Sequence, residues 1–267
     1  AVLVAHILIE HDARITPRVV AEEWLEHLDP ERPYGPSEKI AIVNLSKGKM
    51  PPVSGMDNEH RWSDGAAMRV APIGIVCAGN PGKAAELAEI DAMVSHAYDG
   101  IYCAQAVAAS IAVAMDGAGV DDVIQAGLDA IPESWSKRKI REALQIAERH
   151  RDVVEAAKDL HEGLKTYHID VAPEAVSLAY AVFKLADGDF KGCVAGGANI
   201  GRDADTIAAM AGAMSGALNG IDAVPPGWVD KVEVIRGQVI PSMRGCRLRD
   251  PARGLTRLIR AGPSRFL

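Results

Sequence analysis

The chain has few aromatic residues and no sign of a β-rich composition. Phe, Trp and Tyr together make up 4% of its 267 residues, whereas strands are enriched in aromatic and β-branched side chains. Alanine dominates the apolar segments instead, and alanine has the highest helix propensity of all residues. The sequence therefore predicts an all-α, or at least mainly α, fold.

Cysteine is also scarce, and no long uncharged apolar run is present. The four cysteines (Cys77, Cys103, Cys193 and Cys246) include no Cys-x-x-Cys pair, which argues against a disulfide scaffold or a zinc ribbon and favours reduced, structural thiols. A membrane-spanning helix needs roughly 20 apolar residues, and neither such a run nor a signal-peptide pattern is seen. We therefore expect a cytoplasmic protein with no membrane partner.

Excess positive charge is missing as well. The formal net charge is −7, with 48% hydrophobic residues, which argues against a nonspecific grip on nucleic acid. One arginine-rich stretch, from Arg244 to Arg265, is either a tail that meets a partner or a solvated face, and the solvated face is favoured. Neither a linker nor a repeat is visible, so residues 1–267 are interpreted as one domain.

Apolar periodicity and end signals predict a succession of helices. Thr16 followed by Pro17 is typical of a helix N-cap and first helical residue. The segment from Lys231 to Ile240 alternates in period two and is interpreted as, at most, a short strand pair. The predicted helices span Ala1–His11, Thr16–Leu28, Pro36–Lys47, Ala66–Val76, Pro81–His96, Gly100–Met115, Val120–Ala130, Ser136–Gly163, Ala172–Ala186 and Asp205–Leu218.

Two carboxylates and a hydroxyl stand directly before the last of these helices, at Asp203, Asp205 and Thr206. One interpretation is helix capping, in which an aspartate accepts hydrogen bonds from free N–H groups and favours the helix dipole. The other is a site for a hard cation such as Mg²⁺ or Ca²⁺, which prefers oxygen ligands. Taken alone the motif favours capping, although capping requires only one of the two acids.

Three motifs in order resemble those of the ADP-ribosylglycohydrolase family. The late motif is Gly-Arg-Asp-Ala-Asp-Thr-Ile-Ala at 201–208, and the middle motif is Asp-Gly-Ala-Ala-Met-Arg-Val-Ala-Pro-Ile-Gly at 64–74. The third is Asp91 followed by Ser-His-Ala-Tyr-Asp-Gly at 95–100. The resemblance covers nearly the whole chain and implies a compact orthogonal bundle of helices that hydrolyses the bond between a ribose and an acceptor group.

The resemblance also implies a pair of divalent cations, usually Mg²⁺, with Mn²⁺ or Ca²⁺ as alternatives. Asp203, Asp205 and Thr206 would be metal ligands by position. The other family ligands come from an early Thr-Asp-Asp that is absent here and whose expected place falls just before Ala1. Either those residues and some N-terminal helices precede residue 1, which the uncapped start favours, or this chain builds an incomplete two-metal site.

The middle motif departs from the family at Asp64, where asparagine is usual. Its resemblance implies that the backbone of Gly65, Ala66 and Ala67 approaches the substrate, and free N–H groups at a helix start attract phosphate. For the carboxylate that activates water we rank Asp64 first and Glu59 second. Both lie in or beside the segment 48–65, which is rich in Pro, Gly, Asp and Asn and is predicted to be a long loop.

Arg69, one turn after Asp64, is interpreted as its ion-pair partner in preference to a phosphate contact. Arg202 stands where the family commonly has glycine, and it is interpreted as neutralising the acids that follow it. The third motif implies that His96, Tyr98, Asp99 and Gly100 line the adenosine side of a cleft. His96 is also typical of a buried helix-end histidine, and Tyr98 either stacks on a base or packs in a loop.

These inferences predict a magnesium-dependent glycosidase acting on ADP-ribosylated or related ribosyl substrates, either small molecules or modified proteins. One alternative is a hydrolase of a small ribosyl compound or nucleoside on the same fold, which Asp64 favours. Another is a non-catalytic ADP-ribose-binding protein that keeps the cleft without the early ligands. The sequence does not indicate an oligomeric state.

Overall fold

The computed structural model describes residues 1–262. Within that part of the chain the regular structure is α-helical, with two short 3-10 helices at Ile221–Ala223 and Pro241–Met243 and no sheet. The helices are α1 Val2–Glu10, α2 Pro17–His27, α3 Pro36–Ser46, α4 Val53–Met56, α5 Ala71–Val76, α6 Pro81–Ala92, α7 Asp99–Ala114, α8 Val120–Asp129, α9 Trp135–Ala147, α10 Val153–Leu164, α11 Ala172–Leu185, α12 Phe190–Asn199, α13 Ala204–Asn219, α14 Pro226–Val232 and α15 Arg249–Arg260.

The all-α prediction is confirmed, and most helix ends fall within one or two residues of their predicted positions. The α2 start is an example: Pro17 is the first helical residue and the Thr16 Oγ1 accepts a hydrogen bond of 3.2 Å from the N–H of Val19. The cysteines are free thiols, as predicted. Local end signals are therefore reliable where a capping side chain stands before an apolar run.

Three predictions about secondary structure were wrong. The helix predicted over Ser136–Gly163 is two helices, α9 and α10. Asp152 is the N-cap of α10, and its carboxylate accepts a hydrogen bond of 2.9 Å from the N–H of Glu155. The strand pair near 231–240 is a single antiparallel bridge between Val234 and Arg247, and its first residues belong to α14. The helix predicted from Ala66 begins only at Ala71, because residues 65–69 form a turn. Helices α4, α12, α14 and α15 were not predicted.

The core centres on α7 and α11, whose side chains are almost all buried. The hydroxyls of Ser110 on α7 and Tyr180 on α11 lie 2.6 Å apart and satisfy each other inside this core. Helix α13 packs against both, and α12 covers it so closely that a Cβ at Gly197 would lie 2.5 Å from the Cα of Ala208. This packing fixes the amino end of α13 beside the amino end of α11.

The arginine-rich stretch forms much of α15 within the described residues, and the remainder beyond residue 262 lies outside them. Helix α15 buries Gly254, Leu255 and Leu258 against α1 and α5. Its arginines face outward, with Arg253 73% exposed, which agrees with the solvated-face interpretation. Among residues 1–262, no helix has both the length and the apolar character needed to cross a membrane.

Candidate active site

Two distant segments of the chain are joined at the amino end of α11. Ser63 and Val171 form an antiparallel bridge, the N–H of Asp64 donates to the carbonyl of Asp170 at 2.9 Å, and the N–H of Ala172 donates to the carbonyl of Trp62 at 3.0 Å. This short pairing holds Asp64 in place from both sides. It brings the middle motif to the helix end on which the late motif also converges.

Asp64, Asp203, Asp205 and Thr206 lie together and are called the acid cluster below. The carboxylate of Asp203 faces those of Asp64 and Asp205 at close range. Asp64 and Thr206 are buried, at 4% exposure each, whereas Asp205 is exposed. The acid cluster therefore runs from a buried wall to solvent.

The capping interpretation does not account for Asp203. This residue occupies the N-cap position of α13, yet its side chain accepts no capping hydrogen bond from the helix. A carboxylate at that position normally accepts from the N–H groups of the first turn. Asp203 instead turns toward the other two acids.

The electrostatics of the acid cluster are those of carboxylates held together without a cationic side chain. Burial, and then the nearby charge of Asp203, raise the pKa of Asp64 well above its usual range. Burial, and then the neighbouring carboxyl of Asp205, also raise the pKa of Asp203. The Asp64 Oδ2 is buried and has no hydrogen-bond partner among residues 1–262. A divalent cation would reverse this balance, because it favours the ionised form of every acid around it.

The donor set fits Mg²⁺. Carboxylate and hydroxyl oxygens are the ligands that this hard cation takes, and the Asp64 Oδ2 supplies a buried oxygen with no other partner. The hydroxyl of Thr206 contacts the sulfur of Met68 at 3.6 Å and hydrogen-bonds the carboxylate of Asp203, whose pKa it lowers. As a donor in these contacts, it keeps its oxygen lone pairs for a metal ion. Asp203, Asp205, Thr206 and Asp64 therefore offer a set of oxygen donors that suits Mg²⁺.

Comparison with known proteins decides which family this arrangement belongs to. A sequence model described as ADP-ribosylglycohydrolase matches residues 1–261. The chain belongs to the ADP-ribosylglycohydrolase family. The membership makes it a hydrolase of the ADP-ribosylglycohydrolase type and confirms the resemblance seen in the three motifs.

Individual relatives agree. An uncharacterized protein of Archaeoglobus fulgidus is 34% identical over 232 residues, which cover 79% of this chain and 72% of the relative. The human ADP-ribosylhydrolase ARH3 is 26% identical over 243 residues, covering 77% of this chain and 64% of the relative. A solved "ADP-ribosylglycohydrolase-related protein complex" has a TM-score of 0.66 at 21% identity, over 97% of this chain and 78% of that one, and shows the shared fold.

Arg69 does not pair with Asp64, so the predicted partner was wrong, although the structural interpretation of this arginine holds. Its Nε donates to Asp91 at 2.7 Å, and its Nη1 contacts Glu38 at 3.3 Å. Further bonds reach the carbonyls of Gly65 and Asp91 at 3.2 and 3.1 Å and the Ser95 hydroxyl at 3.1 Å. We call Arg69, Glu38, Asp91 and Ser95 the arginine cluster.

The predicted role of Arg202 was also wrong. Its guanidinium binds Glu174, which is fully buried, and donates to the carbonyls of Thr166 and His168 at 3.2 and 3.0 Å. Arg202 has a φ of 60°, a left-handed conformation that glycine adopts without strain. Glycine is the residue that the family commonly has there, and here the pair with Glu174 holds the arginine in place instead.

The turn formed by Gly65, Ala66 and Ala67 is buried beneath the acid cluster. It is closed by a 3.0 Å bond from the N–H of Met68 to the carbonyl of Asp64. The hydrogen bonds found among residues 1–262 leave the three N–H groups of this turn without an acceptor. A Cβ at Gly65 would collide with Glu38, so glycine also permits the contact between this turn and the arginine cluster.

His96 is 1% exposed and is held by three serine hydroxyls. Its Nδ1 lies 2.7 Å from Ser95, and its Nε2 lies 3.0 Å from Ser63 and 3.2 Å from Ser37. Burial, and then the charge of Arg69, lower the pKa of His96 well below its usual range. The geometry is that of a neutral histidine which positions Ser63, the residue preceding Asp64.

The other third-motif residues have different surroundings. Tyr98 has a φ of 54°, is 57% exposed, and its ring centre lies 5.8 Å from the Arg61 guanidinium. Asp99 accepts hydrogen bonds of 2.8 and 2.7 Å from the N–H and hydroxyl of Ser136, at the start of α9. A Cβ at Gly100 would collide with the carbonyl of Arg61. Of this set, Tyr98 alone presents an exposed side chain to a ligand.

Glu59, the second-ranked carboxylate, is 81% exposed and lies 3.9 Å from the Nε2 of His60. The structure instead shows a group of rings that the sequence analysis missed. Trp62 lies 5.3 Å from His60 and from Tyr167, and 5.9 Å from His168, between ring centres. His60 and Trp62 are far in sequence from Tyr167 and His168, and the bridge between Ser63 and Val171 brings the two pairs together, so no local pattern could have revealed the group.

Proposed function

We propose that the chain is a magnesium-dependent hydrolase that cleaves the glycosidic bond between ribose and an acceptor in ADP-ribosylated substrates. The observation that carries the proposal is the acid cluster. Asp203 occupies an N-cap position without capping, and Asp64 has a buried oxygen without a partner. Both features are costly in a purely structural motif and useful in a cation site.

Bound Mg²⁺ would orient the ribose hydroxyls and offset negative charge at the acid cluster. Asp203, Asp205 and Thr206 would supply its oxygen ligands. Asp64, on the buried wall, would direct the attacking water and steady the positive charge that develops on the ribosyl carbon. Its burial, at 4% exposure, and its position next to Asp203 support this role, because they hold the carboxylate at the inner side of the acid cluster.

Two features beside the acid cluster suit an ADP-ribosyl group. The N–H groups of Gly65, Ala66 and Ala67 have no acceptor among residues 1–262, and such groups bind phosphate; because Ala66 and Ala67 are 0% and 1% exposed, a phosphate reaches them only if the turn opens. Exposed Tyr98, and the rings around Trp62, offer flat apolar faces for a base. Human ARH3, by its name an ADP-ribosylhydrolase, supports the same substrate class.

A second candidate is the hydrolysis of a small ribosyl compound or nucleoside. The observation that favours it is Asp64 itself, since a carboxylate next to the turn at 65–67 repels a pyrophosphate unless a cation lies between them. A non-catalytic ADP-ribose-binding protein is the third candidate. The three candidate functions differ in the product that the protein would release and in the ligand that it would bind.

The decisive experiment is an assay of ADP-ribose release from ADP-ribosylated arginine and serine peptides, with Mg²⁺ or with EDTA. We expect Mg²⁺-dependent release that falls by about 10²–10⁴-fold in Asp203→Ala. The control is Asp129→Asn, an exposed aspartate bonded to Gln125, which should retain wild-type activity. Release of a free base from nucleosides alone would support the second candidate, and tight ADP-ribose binding without turnover would support the third.

A further inference from the structure

A second group of metal-binding side chains lies away from the acid cluster, where α1 meets α2. His6 is on α1, and Glu23 and His27 are one turn apart on the same face of α2. The Glu23 Oε2 lies 3.9 Å from the Nε2 of His6 and 3.4 Å from the Nε2 of His27. The three ligand atoms all lie within 4.8 Å of one another. We call these residues the histidine cluster.

The Glu23 Oε2 is buried and accepts no hydrogen bond within residues 1–262. Its neighbours on both sides are imidazole nitrogens, at 3.9 and 3.4 Å, and neither of them makes a hydrogen bond to it. A shielded carboxylate oxygen without a donor is unfavourable, and a cation between the three groups would satisfy all of them at once. The carboxylate therefore points to a ligand that carries positive charge.

Outer contacts already hold these ligands in place. The Nδ1 of His27 lies 3.0 Å from the Ser242 hydroxyl. When Nδ1 donates a hydrogen bond to this hydroxyl, Nε2 carries no proton and its lone pair points toward Glu23. The other oxygen of Glu23 is bonded to the Nε2 of His11 at 2.8 Å. Metal-binding histidines and carboxylates commonly have such outer partners, which fix their orientation.

The chemistry of this group selects a different metal from the acid cluster. Imidazole nitrogens suit Zn²⁺ and related transition metals, whereas Mg²⁺ prefers oxygen. Zinc–nitrogen bonds of about 2.0–2.1 Å in a tetrahedral site place neighbouring ligand atoms roughly 3.3 Å apart. The separations from the Glu23 Oε2, 3.9 and 3.4 Å, and the third, within 4.8 Å, would contract to this value through side-chain movements of up to about 1.5 Å.

We propose that His6, Glu23 and His27 bind a zinc-class divalent cation, with a fourth position left to water. The cation braces α1 against α2 and, through Ser242, against the segment that precedes α15. This site is independent of the acid cluster and shares no residue with it. Its role is structural, because it joins three parts of the chain that are far apart in sequence.

The test is titration of the protein with Zn²⁺ by calorimetry, in excess Mg²⁺ so that the acid cluster is already supplied. We expect one Zn²⁺ per chain and a higher melting temperature. His27→Gln and Glu23→Gln should each lower the affinity at least about a hundredfold, and Ser242→Ala by about 10–100-fold. His150→Gln is the matched control, since that histidine also contacts one carboxylate, Asp159, at 3.1 Å.

Two further measurements keep the proposal open to refutation. Substitution with Co²⁺ should give visible absorption bands of a nitrogen-ligated site in the wild type and not in His27→Gln, with helix content checked by circular dichroism. Asp203→Asn should bind Zn²⁺ like the wild type. The proposal is overturned if no stoichiometric Zn²⁺ binds, if His27→Gln retains wild-type affinity, or if Asp203→Asn loses it.

Discussion

The arginine cluster and the acid cluster are both buried groups of charged side chains, yet they are built in opposite ways. Around Arg69, every charge has a partner: Asp91 is bonded at 2.7 Å, Glu38 lies at 3.3 Å, and the ring of Trp24 lies 4.9 Å from the guanidinium carbon. In the acid cluster, Asp64 and Asp203 face each other, and within residues 1–262 no cationic side chain is bonded to either carboxylate and one oxygen of Asp64 has no partner.

This difference indicates that the arginine cluster has a structural role and the acid cluster a functional one. A balanced group of buried charges holds segments in register and is expensive to break, because removing one partner leaves the other unpaired. A group of like charges lowers stability by itself, so its presence is explained by a ligand that compensates it. The two clusters touch at Gly65, whose carbonyl accepts from Arg69 and which directly follows Asp64.

The largest effect is expected from breaking the balanced group. Arg69→Met should lower the free energy of unfolding by about 3–5 kcal/mol, because Asp91, at 1% exposure, is left as an uncompensated buried charge. Urea denaturation measures this loss. Arg18→Met is the matched control: its ion pair with Glu22 is exposed, so its midpoint should not move. Equal midpoints for both variants would contradict the structural role of the arginine cluster.

A smaller loss is expected where the two clusters meet. A Cβ at Gly65 would collide with the carboxylate of Glu38, and overpacking of this kind typically costs about 1–3 kcal/mol. Gly65→Ala should therefore unfold at lower urea concentration. It should also weaken substrate binding, because the turn shifts. Gly227→Ala is a suitable control, since no atom lies within 4 Å of the added Cβ. An unfolding midpoint for Gly65→Ala equal to that of the wild type would show that the Glu38 side chain moves aside at no cost in stability.

The smallest effect should have the opposite sign. In EDTA at neutral pH, Asp64→Asn should stabilise the fold by about 1 kcal/mol. It removes a buried like charge and places an amide donor where the Asp64 Oδ2 has no partner among residues 1–262. Denaturation of both proteins in EDTA measures the difference. Destabilisation by this variant in EDTA would show that Asp64 is held by favourable contacts and would remove the contrast between the clusters.

The sign of the pH effect follows from the same carboxyl. Its pKa is raised in the folded state, so the folded protein binds this proton more tightly than the unfolded chain does. The unfavourable contribution of Asp64 therefore disappears as the pH falls through its folded-state pKa. The advantage of Asp64→Asn should accordingly shrink toward acid pH. An advantage that grows on acidification would contradict the raised pKa.

Local patterns predicted most of the fold and failed where tertiary packing decides. Helices with a clear start signal and an apolar stripe were predicted nearly to the residue, such as α2 with its Thr16 cap and α11 with a proline in its first turn. Helix α12 was missed because its sequence, Phe-Lys-Gly-Cys-Val-Ala-Gly-Gly-Ala-Asn at 190–199, holds three glycines, and glycine is a poor helix former. Close packing on α13 requires small residues there, so tertiary contact overrides propensity.

The candidate site was predictable only in part, for a similar reason. The family resemblance pointed to Asp64, Asp203, Asp205 and Thr206, but spacing alone could not show that positions 64 and 203 meet. The partners of Arg69 and Arg202 were mispredicted, because the residues that they contact, Asp91 and Glu174, are distant from them in the sequence. Glu174 left one signal that was overlooked: it is an acid in the first turn of an otherwise apolar helix, and a buried acid of that kind needs a basic partner.

Calorimetric titration with Mg²⁺ tests the central claim most directly, namely that the acid cluster is a cation site and not a capped helix end. The wild type and Asp129→Asn should bind Mg²⁺ with the same affinity, and Asp203→Asn should bind at least about tenfold more weakly, a difference of about 1.4 kcal/mol. Helix content and melting temperature in EDTA should remain close to the wild type, because the Asp203 side chain caps nothing. Equal Mg²⁺ affinity in Asp203→Asn, together with a loss of α13 stability, would contradict the account.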